Sequence, residues 1–158
     1  MDAESRPPPP VGRGRGEEPV EELIEGDPTV EITQRIGASP ATVFSYLTES
    51  DKFSAWMGVG AELDPRPGGQ YRIDVDGEHV AIGEYREVDP PHRVLMTWGW
   101  QDHDTVPPGS SMVEITLTPD GRGTILRLRH TGLPTHAERD SHQGGWSLYT
   151  TKLAGLFE

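Results

Sequence analysis

One stretch of this chain, residues 141–158, has the hydrophobic repeat of an amphipathic helix. Its apolar residues recur three, four, three and one positions apart, the spacing of one helical stripe: Trp146, Tyr149, Leu153, Leu156 and Phe157. The segments from residue 29 to residue 130 instead alternate apolar and polar residues over short runs. One helix therefore has to cover one sheet.

The alternating runs predict strands that each bury one face. Turn sequences separate them, among them Asp76-Gly77 and Pro90-Pro91. A run at residues 62–64 is short, so the sheet has six or seven strands. Such consecutive runs joined by tight turns predict an antiparallel meander, with strands at residues 29–36, 62–64, 70–75, 79–88, 93–100, 111–118 and 124–130.

Two short helices are predicted after the first strand. Ser39 followed by Pro40 is a favourable N-cap and first-turn pair, and it opens the run ATVFSYL. The second helix is predicted at residues 51–56. The fold class is therefore α+β: a curved antiparallel sheet wrapped around a long C-terminal helix, with a hydrophobic cavity between them.

The first 27 residues differ in composition from the rest. They contain PPPP at residues 7–10, GRGRG at 12–16 and an acidic segment at 17–27. Such sequences bury too little apolar area to offset chain entropy. We therefore predict a disordered tail at residues 1–27 and one domain at residues 28–158. A docking role for the tail is the alternative.

The composition also limits the partners. A net charge of -12 disfavours nucleic acid and anionic membrane surfaces, because both require a basic face. Without cysteine, the chain has no disulfides, thiolate catalysis or sulfur-ligated metal. We see neither an apolar run long enough for a membrane span nor the apolar core of a signal peptide. We therefore expect a cytoplasmic protein.

Large aromatic residues fall on the faces that are predicted to meet. Such residues either fill a core or line a cavity, and the sequence leaves both open. Trp56-Met57 follows the short helices, where a pocket mouth or a packed corner would lie. The candidate ligand-binding residues are Trp56, Tyr71, Met96, Trp98, Trp100, His130, Trp146 and Tyr149.

The polar residues do not form a known catalytic pattern. His130 ends a strand on its apolar face, where a structural, hydrogen-bonded histidine is the favoured interpretation and a general base the alternative. Glu84 and Glu114 are candidates for inward acids, although one bulge would reverse their direction. His136 and His142 lie six residues apart, which does not place both on one helical turn, and neither has a nearby acidic residue at metal-ligand spacing. We assign no catalytic residue, cofactor or metal.

Two glycines, Gly144 and Gly145, interrupt the predicted terminal helix, and each costs about 1 kcal/mol relative to alanine. They indicate either close backbone packing or a flexible entrance to the cavity. Along the stripe we expect Leu153, Leu156 and Phe157 to pack on the sheet. Trp146 and Tyr149 are then nearest the cavity.

From about residue 29 to residue 158 the chain resembles the SRPBCC or START-like superfamily, the helix-grip fold shared with the birch pollen allergen. Within it, the chain is similar to bacterial domains resembling the C-terminal part of the heat-shock-protein-90 ATPase activator. The resemblance rests on five segments in order: SPATVFSYLTESDKFSAWM, PGGQY, GEYREVDPPHRVLMTW, GRGTILRLRHTGL and HQGGW.

The resemblance implies a hydrophobic cavity but no single activity, because the superfamily includes lipid carriers, hormone receptors, polyketide cyclases and co-chaperone domains. Our first hypothesis is the binding of a small hydrophobic or aromatic molecule. The alternatives are a co-chaperone-like domain that acts on a chaperone ATPase, and a cyclase or hydrolase that uses His130 or Glu84 as base. Homodimerisation through a strand edge or the loop at residues 101–110 is also left open.

Overall fold

The computed structural model describes residues 29–158, so the tail predicted at residues 1–27 lies outside the described part of the chain. Strands and short helices precede one long terminal helix. In chain order the elements are β1 (Val30–Ile36), α1 (Pro40–Thr48), α2 (Ser50–Phe53), β2 (Gly60–Leu63), β3 (Gln70–Asp74), β4 (Val80–Asp89), β5 (Arg93–Trp98), β6 (Ser111–Asp120), β7 (Gly123–Thr131) and α3 (His136–Gly155).

All seven strands form one curved sheet in the order β1-β7-β6-β5-β4-β3-β2, and every neighbouring pair is antiparallel. Only β1 pairs out of chain order, because it hydrogen-bonds to β7 at the far end of the meander. The core lies between the inner face of this sheet and the helices. The predicted α+β helix-grip architecture is confirmed.

The short helices follow from local sequence. The Ser39 hydroxyl accepts a hydrogen bond from the Thr42 amide at 3.3 Å, and Pro40 occupies the first turn, so the predicted start of α1 is confirmed. Helix α2 is shorter than the predicted 51–56, since it ends at Phe53. The turn that follows buries Trp56, whose Nε1 donates to the Tyr46 carbonyl at 2.9 Å.

Helix α3 begins at His136, earlier than the predicted residue 141. The Thr135 hydroxyl accepts from the Glu138 amide at 3.0 Å, which caps the first turn. Because α3 ends at Gly155, Leu156 lies beyond the regular helix and is 46% exposed, so its predicted packing on the sheet is wrong. The buried residues of α3 are His142, Trp146, Thr150, Leu153 and Ala154.

A β-bulge decides which way the acidic residues of β4 point. The register with β5 shifts between Tyr85 and Glu87, so the alternation before the bulge is opposite to that after it. Tyr85 is therefore buried, and Glu84 lies on the outer face, 3.4 Å from Arg86. The expectation that Glu84 points inward is wrong.

Glu114 on β6 is also outward. Its neighbours Val113 and Ile115 are buried on the inner face, and the side chains of a strand alternate between faces. The Glu114 carboxylate instead accepts a hydrogen bond from Arg93 at 2.7 Å on the outer face. Neither predicted inward acid reaches the core.

Candidate functional site

Five of the eight predicted site residues form one cluster of rings around Trp98, where α3 crosses the inner face of the sheet. Between ring centroids, the distance from Trp98 is 4.9 Å to Trp146, 5.4 Å to Trp100, 5.9 Å to His130 and 6.1 Å to Tyr71. The rings are tilted or edge-on to Trp98, the arrangement that aromatic quadrupoles favour. Residues from four elements or their ends thus meet in one cluster.

The other three predicted residues lie around this cluster. Met96 is buried on the inner face of β5, and Tyr149 is half-buried on α3. Trp56 packs in the corner after α2, with its ring centroid 4.8 Å from that of Phe53. The structure therefore places Trp56 against the short helices and gives it no ring contact with Trp98.

A chain of hydrogen bonds crosses the cluster. Trp146 Nε1 donates to His130 Nδ1 at 3.0 Å, and His130 Nε2 lies 2.8 Å from the Ser111 hydroxyl oxygen. The Ser111 hydroxyl donates in turn to the Trp98 carbonyl at 2.8 Å. Because Nδ1 accepts, a neutral His130 carries its proton on Nε2 and donates to Ser111.

The 2.8 Å contact between Ser111 and His130 has the length expected of a catalytic nucleophile and its base. The positions of the serine and imidazole protons, however, do not suit catalysis. A catalytic base would need a free lone pair on Nε2 to take the serine proton. In this arrangement Nε2 is the donor, and the serine proton is held by the Trp98 carbonyl. The geometry therefore favours a structural His130 over a general base.

His142 is a cluster member that the sequence analysis missed. Its Nε2 accepts from Trp100 Nε1 at 3.0 Å, and its Nδ1 lies 2.7 Å from the Glu138 carbonyl oxygen, to which it donates. A carboxylate oxygen of Glu138 also lies 3.8 Å from Nδ1, so an acidic residue that the sequence analysis did not pair with His142 is close to it. The signal was the spacing of four residues from Glu138 to His142 and from His142 to Trp146.

Both histidines are held in the neutral form. Burial and, secondarily, the neighbouring His142 lower the pKa of His130 to about 3. Burial also lowers the pKa of His142, although the hydrogen bond and the charge of Glu138 oppose this, and His103 adds to the lowering. The two imidazole centroids are only 5.1 Å apart, so a proton on either would repel one on the other.

Tyr71, the remaining titratable member of the ring cluster, is also uncharged. Burial and then the nearby Tyr85 raise the pKa of the Tyr71 phenol well above its ordinary value. Its hydroxyl donates to the Thr97 carbonyl at 2.5 Å, so its polar end is satisfied inside the protein. The ring therefore presents apolar surface to Trp98.

Two buried side-chain atoms within residues 29–158 lack a hydrogen-bond partner: Trp98 Nε1 and Gln143 Oε1. Buried polar groups are normally paired, and leaving a donor unpaired costs about 1–3 kcal/mol. The unpaired Trp98 nitrogen belongs to the ring at the centre of the cluster.

The glycine pair of α3 faces open space. Apart from its chain neighbours and the nearby backbone of α3, a Cβ atom on Gly144 or on Gly145 would meet no heavy atom within 4 Å. Close backbone packing, one of the two predicted reasons for these glycines, is therefore wrong. Gly144 is exposed, whereas Gly145 is half-buried and directly precedes Trp146.

Between residues 29 and 158, no three His, Cys, Asp or Glu side chains are grouped so that they could hold a metal ion. None of the helices described here is both long enough and apolar enough to span a membrane.

The fold and the aromatic cluster together identify the structural class of this protein. A seven-stranded antiparallel sheet closed by a terminal helix over an aromatic cluster is the helix-grip architecture of the SRPBCC superfamily. Residues 37–158 match the family model described as "Activator of Hsp90 ATPase homolog 1-like protein". The chain belongs to this family.

Solved structures agree with this membership. An AHSA1-like protein from Rhizobium etli is 45% identical over 80% of this chain and 79% of its own, with a TM-score of 0.64. A Mesorhizobium loti protein is 25% identical over 81% and 95%, with a TM-score of 0.73. The Aha1 dimer from Colwellia psychrerythraea, 14% identical over 82% and 96%, shares the fold with a TM-score of 0.72. No curated protein matches the chain.

The lowered pKa values predict acid destabilisation. Because the unfolded state binds these protons near the ordinary histidine pKa of about 6.5 and the folded state does not, stability is constant above that pH and falls below it. At about pH 5, His130 alone should reduce the free energy of unfolding by about 2 kcal/mol relative to pH 7.5. Urea unfolding at both pH values measures this.

Two substitutions distinguish the effect of the buried histidines from that of an exposed histidine. His142→Gln should reduce the slope of unfolding free energy against pH, while His92→Gln, on the exposed surface, should leave it unchanged. Equal stability of the wild-type protein at the two pH values would contradict the assignment of neutral, buried histidines.

Proposed function

We propose that this protein binds a small hydrophobic or aromatic molecule between α3 and the inner face of the sheet. One observation carries the proposal: a Cβ atom on the half-buried Gly145, the residue directly before the buried Trp146, would point into open space. A glycine without a packing partner in the middle of a helix costs stability. An entrance for a ligand accounts for that cost.

The proposed lining is aromatic and neutral, which suits an apolar ligand. Each 100 Å² of apolar ligand surface removed from water contributes about 2.5 kcal/mol before ordering costs. Edge-to-face ring contacts add about 0.5–1.5 kcal/mol per pair. Family membership and the pocket-forming architecture support the same position. The proposed lining residues are Tyr71, Met96, Trp98, Trp100, His130, Trp146 and Tyr149.

Blocking the proposed entrance tests this function. N-phenyl-1-naphthylamine, an uncharged fluorescent probe of apolar sites, should bind saturably with one molecule per chain. Gly145→Leu should weaken its affinity about tenfold or more, because the leucine side chain would occupy the open space of the proposed entrance. Titration of probe fluorescence, with energy transfer from the tryptophans, measures the affinity.

Gly144→Leu is the matched control, since it adds the same side chain one residue away at an exposed position. Both variants should be at least as stable as the wild-type protein, because leucine favours helix more than glycine does. An absence of probe binding to the wild-type protein, or equal effects of the two substitutions, would refute the proposal.

A second candidate function is supported by the outer face of the sheet, where a protein partner such as a chaperone ATPase would bind. A cleft of about 80 Å³ lies there, lined by charged residues of both signs together with apolar and hydroxyl side chains. Charged residues of both signs beside apolar side chains suit a transient protein interface. The cleft is lined by Arg93, Leu95, Met112, Glu114, Arg129 and Thr131.

Chaperone ATPase assays test the second candidate. If the outer face binds an Hsp90-type chaperone, the protein should raise that chaperone's ATPase rate, and Arg129→Glu should reduce the effect several-fold by charge reversal. Arg66→Glu is the control, because Arg66, like Arg129, is an exposed arginine paired with one carboxylate. No stimulation by the wild-type protein, or equal loss in both variants, would exclude this candidate.

A further inference from the structure

We propose that the ligand of this site is an uncharged planar aromatic molecule with a hydrogen-bond acceptor, and that Trp98 Nε1 recognises the acceptor. The inference rests on the binding function proposed above and adds the chemical class of the ligand. It follows from one unpaired donor, from the absence of charge in the cluster and from the arrangement of the rings.

Trp98 is the only tryptophan of the chain whose indole N–H donates no hydrogen bond among the described residues. The chain has four tryptophans, and three of them donate: Trp56 to the Tyr46 carbonyl at 2.9 Å, and Trp100 and Trp146 to histidines at 3.0 Å. Trp98 is only 1% exposed, yet its Nε1 has no partner among the described residues. A ligand acceptor would remove the cost of this unpaired donor.

The polar groups around Trp98 are already engaged with one another. The ring nitrogens of His130 form hydrogen bonds with Trp146 and Ser111. The Ser111 hydroxyl donates its own hydrogen bond to the Trp98 carbonyl. The Tyr71 hydroxyl donates a hydrogen bond to the Thr97 carbonyl. These bonds hold the cluster without using the Trp98 donor, which leaves that donor for a molecule from outside the chain.

The charge state of the cluster selects an uncharged ligand. The two histidines that contact the rings are neutral at pH 7, because burial lowers the pKa of each. An ionised ligand would lose its hydration and meet no opposite charge on these rings, which is strongly unfavourable in an apolar environment. A neutral acceptor, such as a ring nitrogen or a carbonyl oxygen, avoids that cost.

The ring geometry selects a flat molecule. Trp146 and Trp100 are inclined to the Trp98 plane by 55° and 86°, so flat faces and ring edges meet within the cluster. Planar aromatic ligands pack against such surfaces through offset and edge-to-face contacts. A flexible chain would lose more conformational entropy for the same contact area.

Naphthalene and quinoline form a matched pair of probes, since they have the same fused-ring shape and only quinoline carries an acceptor nitrogen. At pH 8 both are uncharged. The ratio of quinoline affinity to naphthalene affinity should fall about five- to tenfold in Trp98→Phe, which removes the donor and keeps an aromatic ring. Trp56→Phe, whose nitrogen serves the Tyr46 carbonyl, should leave the ratio unchanged. Isothermal titration calorimetry measures the affinities.

A second measurement uses the wild-type protein and does not depend on the variant folding. Quinoline should move the Trp98 indole N–H proton resonance downfield, as expected for a new hydrogen bond, and naphthalene should not. N-methylquinolinium, which is charged and lacks the acceptor, should bind at least about tenfold more weakly than quinoline.

The outcomes separate this inference from the binding function. If both probes bind, but Trp98→Phe does not change their affinity ratio or quinoline does not shift the Trp98 resonance, the inference is overturned and the binding function stands. Binding of N-methylquinolinium as tight as that of quinoline would also overturn it. If neither the two probes nor N-phenyl-1-naphthylamine binds, both proposals fail.

Discussion

The hydrogen bond from Trp146 Nε1 to His130 Nδ1 joins α3 to the sheet inside a largely apolar core. Because it occupies Nδ1, it places the imidazole proton on Nε2 and so orients the Ser111 hydroxyl toward the Trp98 carbonyl. A second indole–imidazole bond, from Trp100 to His142, repeats this arrangement nearer the start of α3. Hydrophobic contacts are not directional and would allow α3 to shift along the sheet. Hydrogen bonds require a defined geometry, so these two bonds specify the position of α3.

The same bonds limit the chemistry of the core. They occupy the ring nitrogens of two histidines that burial keeps neutral, so the cluster has neither a free base nor a buried charge among the described residues. What remains is aromatic surface and the donor of Trp98, the two features on which the proposed binding function rests. The outer face of the sheet is charged instead, since Arg93 contacts Glu114 and Glu87 there. A ligand and a protein partner would therefore use opposite faces of one sheet.

The sequence predicted the fold because its periodicities are local. It also indicated the ring cluster, since Trp98 and Trp146 fall on faces that must meet. The direction of Glu84 was mispredicted because the bulge at Tyr85–Glu87 leaves no local signal. Helix α3 starts earlier than its apolar repeat because its first turn is polar, although the Thr135–Glu138 capping pattern marks it.

The role of His142 was beyond local patterns for a different reason. Its partner Trp100 lies 42 positions away in the chain, and only the folded structure brings the two together. The same holds for the proton positions, which depend on which ring nitrogen each indole reaches. Periodicity identifies the residues of a core, but it does not specify the polar bonds among them.

The protonation pattern of the two buried imidazoles tests this account most directly. Long-range nitrogen–proton correlation NMR of the histidine side chains at neutral pH distinguishes the two neutral tautomers and the cation. We expect His130 to carry its proton on Nε2 and His142 to carry its proton on Nδ1. A cationic ring, or the opposite tautomer at either residue, would contradict the hydrogen-bonded arrangement on which the position of α3 and the neutral character of the site depend.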